Sequence, residues 1–210
     1  MSKREQQKQL RRQNIIQIAK DLFLEQSVKN IQMQDVAAAA GVGIATLFRY
    51  FPKKEYLVIA ATNAITDEMA TNIGQIVEQT MPAYEKIEQI LDYYIGVTKD
   101  PQLRLAKFFE SFGLYEKIAE ESPEQYAEFL FSRSKLASIL LRLAEQGKQD
   151  GSLRPDVDLD VFIMTMVQNF SLFAFKSSLT THDTNLASML SADKQLAMMK
   201  DVFLSYIQPS

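Results

Sequence analysis

Apolar residues recur every three or four positions along almost the whole chain. Ile15, Ile18, Ala19, Leu22 and Phe23 lie on one side of a helix that we predict from Glu5 to Gln26. Alternation of the kind that marks a strand does not persist between turn signals, and the chain contains no internal repeat. We predict an all-α fold, whose other helices occupy residues 33–40, 44–50, 53–79, 83–99, 102–119, 124–149, 159–176 and 192–207.

Glycines mark two helix ends in this pattern. Gly41 follows the first of two short helices, at a position that commonly requires a positive φ and therefore favours glycine. Gly147 and Gly151 are expected to stop the helix that begins at Glu124.

The two short helices, joined by Gly41-Val42-Gly43, predict a helix-turn-helix. Leu47 and Phe51 are spaced i, i+4 on the second helix and are expected to point inward. Phe48, Arg49 and Tyr50 then remain on or near the outer face. A recognition helix in the major groove uses such residues. Aromatic rings contact thymine methyl groups, hydroxyls donate hydrogen bonds to phosphates, and arginine donates hydrogen bonds to guanine or to phosphate. The alternative is a solvated helix without a partner.

Charge is distributed unevenly around the net value of −3. Residues 1–60 contain ten Lys and Arg against five Asp and Glu, whereas residues 61–210 contain thirteen against twenty-one. The start of the first helix carries five cations, although the helix dipole favours anions at that end. They are Lys3, Arg4, Lys8, Arg11 and Arg12. This end is therefore suited to an external anion, although a basic terminus without a partner is common.

The region from Val36 to Leu57 resembles the TetR family of bacterial transcription regulators. The residues that carry the resemblance are Val36-Ala37, Ala40-Gly41-Val42, Thr46-Leu47-Phe48-Arg49-Tyr50-Phe51, Lys54 and Leu57. The resemblance covers about the first sixty residues. It departs from the usual pattern at three positions: Gln32 replaces a Ser or Thr N-cap, Gly43 replaces a Ser, and Phe48 replaces a Tyr. The resemblance implies that Lys54 meets a phosphate and that DNA is contacted by Gln34, Ile44, Ala45, Thr46, Phe48, Arg49 and Tyr50.

The same resemblance implies two domains. Residues 1–52 would form the helix-turn-helix DNA-binding domain, and residues 53–210 a larger helical domain for effector binding and dimerisation. An apolar pocket with polar anchors is expected there, with the candidate lining residues Met69, Tyr94, Phe108, Phe112, Met166 and Phe170. The competing interpretation is that these residues belong to an ordinary core.

The helix predicted at 159–176 is apolar on all sides, so each of its faces must be buried against other protein. A partner subunit would provide that cover, together with a second apolar seam on the last helix. The predicted dimer interface comprises Phe162, Met166, Phe170, Phe173, Met199 and Phe203. Alternatively, both helices belong to the core of one chain.

The chain lacks the residues that metal-binding, cofactor-binding and catalytic sites commonly need. The chain has no cysteine, and its one histidine, His182, lies in a polar stretch, so we predict no metal site, no cofactor and no catalytic residues. The apolar window 159–175 is shorter than the about 20 residues of a membrane span and carries Asp160. The charged first residues do not resemble a signal peptide, which predicts a cytoplasmic protein.

These observations predict a sequence-specific DNA-binding regulator and not an enzyme. The leading hypothesis is a homodimeric repressor that a small apolar or amphipathic ligand releases from a palindromic operator. The alternative is a DNA-binding dimer without a small-molecule effector, acting constitutively or through a protein partner.

Overall fold

The computed structural model describes residues 2–100, 104–112, 123–180 and 191–209, with Phe112 and Thr180 described in their backbone only. All regular secondary structure in these ranges is helical, which confirms the predicted fold class. The helices are α1 (Lys3–Gln26), α2 (Met33–Ala39), α3 (Ile44–Tyr50), α4 (Lys54–Val77), α5 (Ala83–Thr98), α6 (Arg104–Phe112), α7 (Pro123–Asp150), α8 (Leu159–Thr180) and α9 (Ala192–Ile207).

The predicted helices agree with these bounds to within a few residues, and α3 and α9 agree at both ends. Residues 113–119 of one predicted helix lie outside the described residues. The expected stop at Gly151 is confirmed, since α7 ends at Asp150 and Gly151 follows it with φ +69°, whereas Gly147 lies within the helix. A Cβ at Gly147 would lie 2.1 Å from Cδ1 of Leu153. Gly147 therefore allows Leu153 to pack closely against α7.

The described residues form two compact units. One unit comprises residues 1–68 and 107–133, and the other comprises residues 69–106 and 134–210. Compactness thus groups the first half of α4 with the helix-turn-helix. The functional division at residues 52 and 53 rests on the motif and stays a prediction.

The core of the first unit is built by α1, α2 and α3. Ile15, Phe23, Val36, Leu47 and Phe51 are each at most 1% exposed. The inward orientation predicted for Leu47 and Phe51 is confirmed. Burial of Leu47 on α3 and of Phe51 directly after it fixes which face of the helix remains outside.

In the second unit, α5, α8 and α9 pack on one another around a core that includes Ile90, Ile163 and Leu196. Buried helix ends in this unit have polar partners. Nζ of Lys86 donates to the carbonyl oxygen of Val77 at 2.8 Å, and the carboxylate of Asp150 accepts from the backbone N–H of Ala83 at 2.7 Å. Along the described part of the chain, no helix combines the length and apolar character needed to cross a membrane.

The turn between α2 and α3 depends on Gly41, which has φ +63°. The backbone N–H of Val42 donates to the carbonyl oxygen of Ala37 at 3.0 Å, and that of Gly41 donates to Ala38 at 3.2 Å. This pair of bonds is a Schellman motif, which requires the left-handed backbone that glycine adopts without strain.

We expect Gly41→Ala to lower the free energy of unfolding by about 1–2 kcal/mol, because a Cβ disfavours positive φ. Gly96→Ala on the exposed side of α5 serves as the matched control, since a Cβ there meets nothing within 4 Å. It should raise the free energy by about 0.5–1 kcal/mol. Urea unfolding measures the free energy of unfolding of both variants. If Gly41→Ala and Gly96→Ala changed it equally and in the same direction, this account of the turn would be contradicted.

Candidate nucleic-acid interface

The outer face of α3 is presented to solvent because its inner face is anchored. Ile44 is 37% exposed and Phe48 is 43% exposed, while Leu47 between them is fully buried. Ala45 and Arg49 are exposed, and Thr46 and Tyr50 are half-buried. The exposed residues Ile44, Ala45, Phe48 and Arg49 therefore share one accessible face, and the half-buried Thr46 and Tyr50 lie at its edge.

The N-terminus of α2 is capped by the carboxylate of Asp35, because Gln32 at the N-cap position has no hydroxyl. The side chain of Asp35 accepts a hydrogen bond from the backbone N–H of Gln32 at 2.7 Å. This contact is the reciprocal half of a capping box, and it stabilises the first turn of α2. Gln34 stands beside Asp35 in that turn and is exposed.

A row of cations lies along α1 next to the recognition helix. Arg4, Lys8 and Arg11 are exposed and, with Arg49 and Tyr50, line an open groove of about 530 Å³. In the part of the chain that the structure describes, none of these four cations has an acidic partner within salt-bridge distance. The row is therefore free to bind an external anion.

The first turn of α1 contains its own anion. The carboxylate of Glu5 accepts from the backbone N–H of Ser2 at 2.7 Å, and the Ser2 hydroxyl accepts from the N–H of Glu5 at 3.3 Å. These hydrogen bonds hold the pKa of Glu5 below its usual value. Glu5 thus caps the helix, while the neighbouring cations remain without a partner in the described residues.

Two other cations of this region have internal partners. Nη2 of Arg12 lies 2.9 Å from both carboxylate oxygens of Glu128, and the guanidinium lies 5.3 Å from the centre of the Phe51 ring. Nζ of Lys54 donates to the carbonyl oxygen of Val28 at 2.6 Å. Burial lowers the pKa of the Lys54 ammonium. Lys54 therefore reaches a phosphate only with its two remaining N–H groups.

The candidate pocket residues whose side chains the structure describes are buried and do not fall in one unit. Met69, Tyr94, Met166 and Phe170 belong to the second unit and are at most 8% exposed, whereas Phe108 belongs to the first. Burial raises the pKa of the Tyr94 hydroxyl. The side chain of Phe112 lies outside the described residues. The pocket stays a prediction.

The structure changes which residues could form a dimer interface. Met166 and Phe170 are fully buried within the chain itself, so a partner cannot contact them without rearrangement. The other four candidates, Phe162, Phe173, Met199 and Phe203, are half-buried. Large apolar side chains are instead exposed elsewhere on these helices: Val161 and Leu172 on α8, and Met198, Val202 and Tyr206 on α9.

Sequence analysis missed this exposed set, which we call the α8–α9 apolar stripe. Met198, Val202 and Tyr206 follow one another at intervals of four, so one face of α9 presents all three. That spacing could have identified them. Large apolar side chains exposed together in this way are typical of a protein interface.

Among the described residues, no three or more His, Cys, Asp or Glu side chains come together in a group that could hold a metal ion. His182 lies outside the described residues.

Part of the first unit is similar to known proteins. Residues 15–61 match the pattern of the bacterial regulatory proteins of the tetR family. An HTH-type transcriptional regulator of Staphylococcus aureus (strain USA300) is 29% identical over 133 residues, which cover 56% of this chain and 72% of the relative.

Solved structures share the whole fold. A transcriptional regulator from Saccharomonospora viridis in complex with choline has a TM-score of 0.69 at 15% identity, covering 94% of this chain and 97% of that one. The regulator FadR from Bacillus subtilis in complex with stearoyl-CoA has a TM-score of 0.63 at 16% identity, covering 93% and 99%. The relatives and the fold are those of transcription regulators and not of enzymes.

We expect Lys54→Ala to lower the free energy of unfolding by about 1–2 kcal/mol, since it removes a charge-assisted hydrogen bond to Val28. Lys29→Ala, which removes a lysine from the exposed surface of the same unit, should change it by less than about 0.5 kcal/mol. Denaturant titration compares the two. Equal stabilities would mean that the contact with Val28 contributes nothing.

Proposed function

We propose that this chain, a transcription regulator whose residues 15–61 carry the DNA-binding domain of the TetR family, is a cytoplasmic repressor that binds a palindromic operator as a homodimer. A small apolar or amphipathic ligand would release it. The proposal is supported above all by the accessible face of α3, where Phe48 and Arg49 are exposed above the buried Leu47.

Bases and phosphates would be contacted by different elements. Residues of α3 reach base edges in the major groove, where arginine discriminates guanine and an aromatic ring meets thymine methyls. Arg4, Lys8 and Arg11 on α1 neutralise phosphates and position the protein without reading sequence. The contacts that we propose from α2 to α4 are Gln34, Ile44, Ala45, Thr46, Phe48, Arg49, Tyr50 and Lys54.

A dimer would place two recognition helices on the two half-sites of a palindrome. Its interface would centre on the α8–α9 apolar stripe, flanked by the half-buried Phe162, Phe173, Met199 and Phe203. Phe162 already stacks on Tyr206, with ring centres 5.3 Å apart, and contacts Phe203 edge to face at 6.1 Å. Rigid aromatic packing behind an exposed apolar surface is typical of interface cores.

Small-molecule control is supported by the structural neighbours that hold choline and stearoyl-CoA. A ligand can release DNA only if it binds the free and the DNA-bound conformations with different affinity, commonly by about 1–3 kcal/mol. Thermal unfolding with choline and with stearoyl-CoA, followed by operator titration, tests this part. Stabilisation without loss of operator binding would favour the alternative, a DNA-binding dimer without a small-molecule effector.

Operator selection from random duplexes tests the central claim, and two substitutions should then give different results. Arg49→Ala should cost about 1–3 kcal/mol at the selected site and relax the preference at one position. Arg11→Ala should weaken all duplexes alike and reduce the slope of log K against log salt by about one for each protomer bound.

Lys194→Ala on α9 is the control for the loss of a positive charge, since Lys194 is exposed and lies in the other unit. It should leave the selected site and the salt slope unchanged. If Arg49→Ala and Arg11→Ala also bind as the parent does, the proposed interface is wrong.

The double substitution Met198→Asp with Val202→Asp should weaken dimerisation by at least about 100-fold, because it buries unpaired charges in the interface. Both residues are more than 60% exposed, so the fold of the chain should survive. Light scattering during size-exclusion chromatography measures the mass. Leu130→Asp, at an exposed apolar position on α7, should leave the mass unchanged. A double variant that keeps the dimer mass would place the interface elsewhere.

A further inference from the structure

Arg12 is set apart from the other cations of α1 by its surroundings. Arg4, Lys8 and Arg11 face open grooves, whereas Arg12 is held between the carboxylate of Glu128 and the ring of Phe51. Phe51 is 1% exposed and ends the recognition helix. A guanidinium held over a ring by a carboxylate has a defined orientation, because here both its Nη2 group and its flat face are engaged.

Three further polar contacts link α1, α4 and α7. The buried hydroxyl of Ser132 on α7 donates to Oδ1 of Asp67 at 2.9 Å and to the carbonyl oxygen of Asn63 at 3.3 Å, both on α4. Lys20 of α1, which is 5% exposed, pairs with Glu68 of α4. The first three turns of α7 are thereby linked to α1 and α4 within one compact unit.

We propose that Glu128 is a positioning residue for DNA recognition: acting through Arg12, it holds Phe51 and so sets the placement of α3. The inference rests on the proposed function and adds to it the residue through which α7 influences the recognition helix. α7 is continuous from Pro123 to Asp150, so a displacement of this helix also displaces the Glu128 carboxylate. Glu128 itself need not touch DNA.

Stability is a poor measure of this role. The side chains of Arg12 and Glu128 are 33% and 38% exposed, and ion pairs at such positions contribute little to the free energy of unfolding. A variant that lacks Glu128 should therefore fold. What it loses is the fixed orientation of Arg12 against Phe51.

Simple electrostatics and positioning predict opposite results for removal of this carboxylate. Loss of a negative charge, with Arg12 released to meet a phosphate, raises affinity for every duplex. Loss of positioning lowers affinity for the operator alone, because base contacts depend on the placement of α3 and phosphate contacts do so much less. The ratio of operator affinity to random-duplex affinity separates the two effects.

The experiment measures that ratio for the full-length protein with a selected operator and a random duplex, at two salt concentrations. Glu128→Ala and Glu128→Gln should each lower the ratio, the alanine variant by about three- to tenfold. Glu124→Ala is the matched control, since it removes an exposed carboxylate one turn earlier on α7 and should leave the ratio unchanged. Arg12→Ala should lower the ratio as Glu128→Ala does, and the double variant should add little to either single change.

The inference is overturned if Glu128→Ala raises both affinities in proportion, as Glu124→Ala would, or if its effect adds fully to that of Arg12→Ala. A parent protein that prefers no duplex over another would overturn the proposed function instead, and the inference with it. The two failures are therefore distinguishable from the parent measurement alone.

Discussion

Burial of Leu47 and Phe51 is the constraint on which the rest of the candidate interface depends. These side chains, one turn apart, attach the seven-residue α3 to the core of the first unit. A helix of this length is not stable alone in water, so its position comes from tertiary packing. Because its inner face is fixed, Phe48 and Arg49 have no place in the core and remain accessible for a partner.

The cations around α3 divide into two groups with different roles. Arg4, Lys8, Arg11 and Arg49 are exposed beside open grooves and are available to phosphates or bases. Arg12 and Lys54 instead hold elements together, through Glu128 and the carbonyl oxygen of Val28. Net charge alone does not separate these groups. A duplex would be bound by the first group and by the remaining N–H groups of Lys54, in an orientation that the contacts of Arg12 and Lys54 maintain.

In our proposal, the second unit provides the surface for association and for control. Its aromatic packing leaves an apolar stripe exposed on α8 and α9, while Met166 and Phe170 lie fully inside. Large exposed apolar side chains on an otherwise well-packed unit are best explained by a partner. A second copy of the chain is the partner that a palindromic site requires.

The sequence by itself determined the all-α fold, the bounds of α3 and α9, the inward pair Leu47 and Phe51, and the turn at Gly41. Each of these follows from residues within a few positions of one another: helical periodicity, i, i+4 spacing, and the backbone freedom of glycine.

Only the tertiary structure decided the partners of Arg12 and Lys54, the burial of Met166, and the packing of Leu153 against Gly147. Arg12 and Glu128 are 116 positions apart, and no local pattern encodes which of several cations meets a distant carboxylate. The same holds for an apolar helix, whose inner and outer faces are distinguished only by what packs against them.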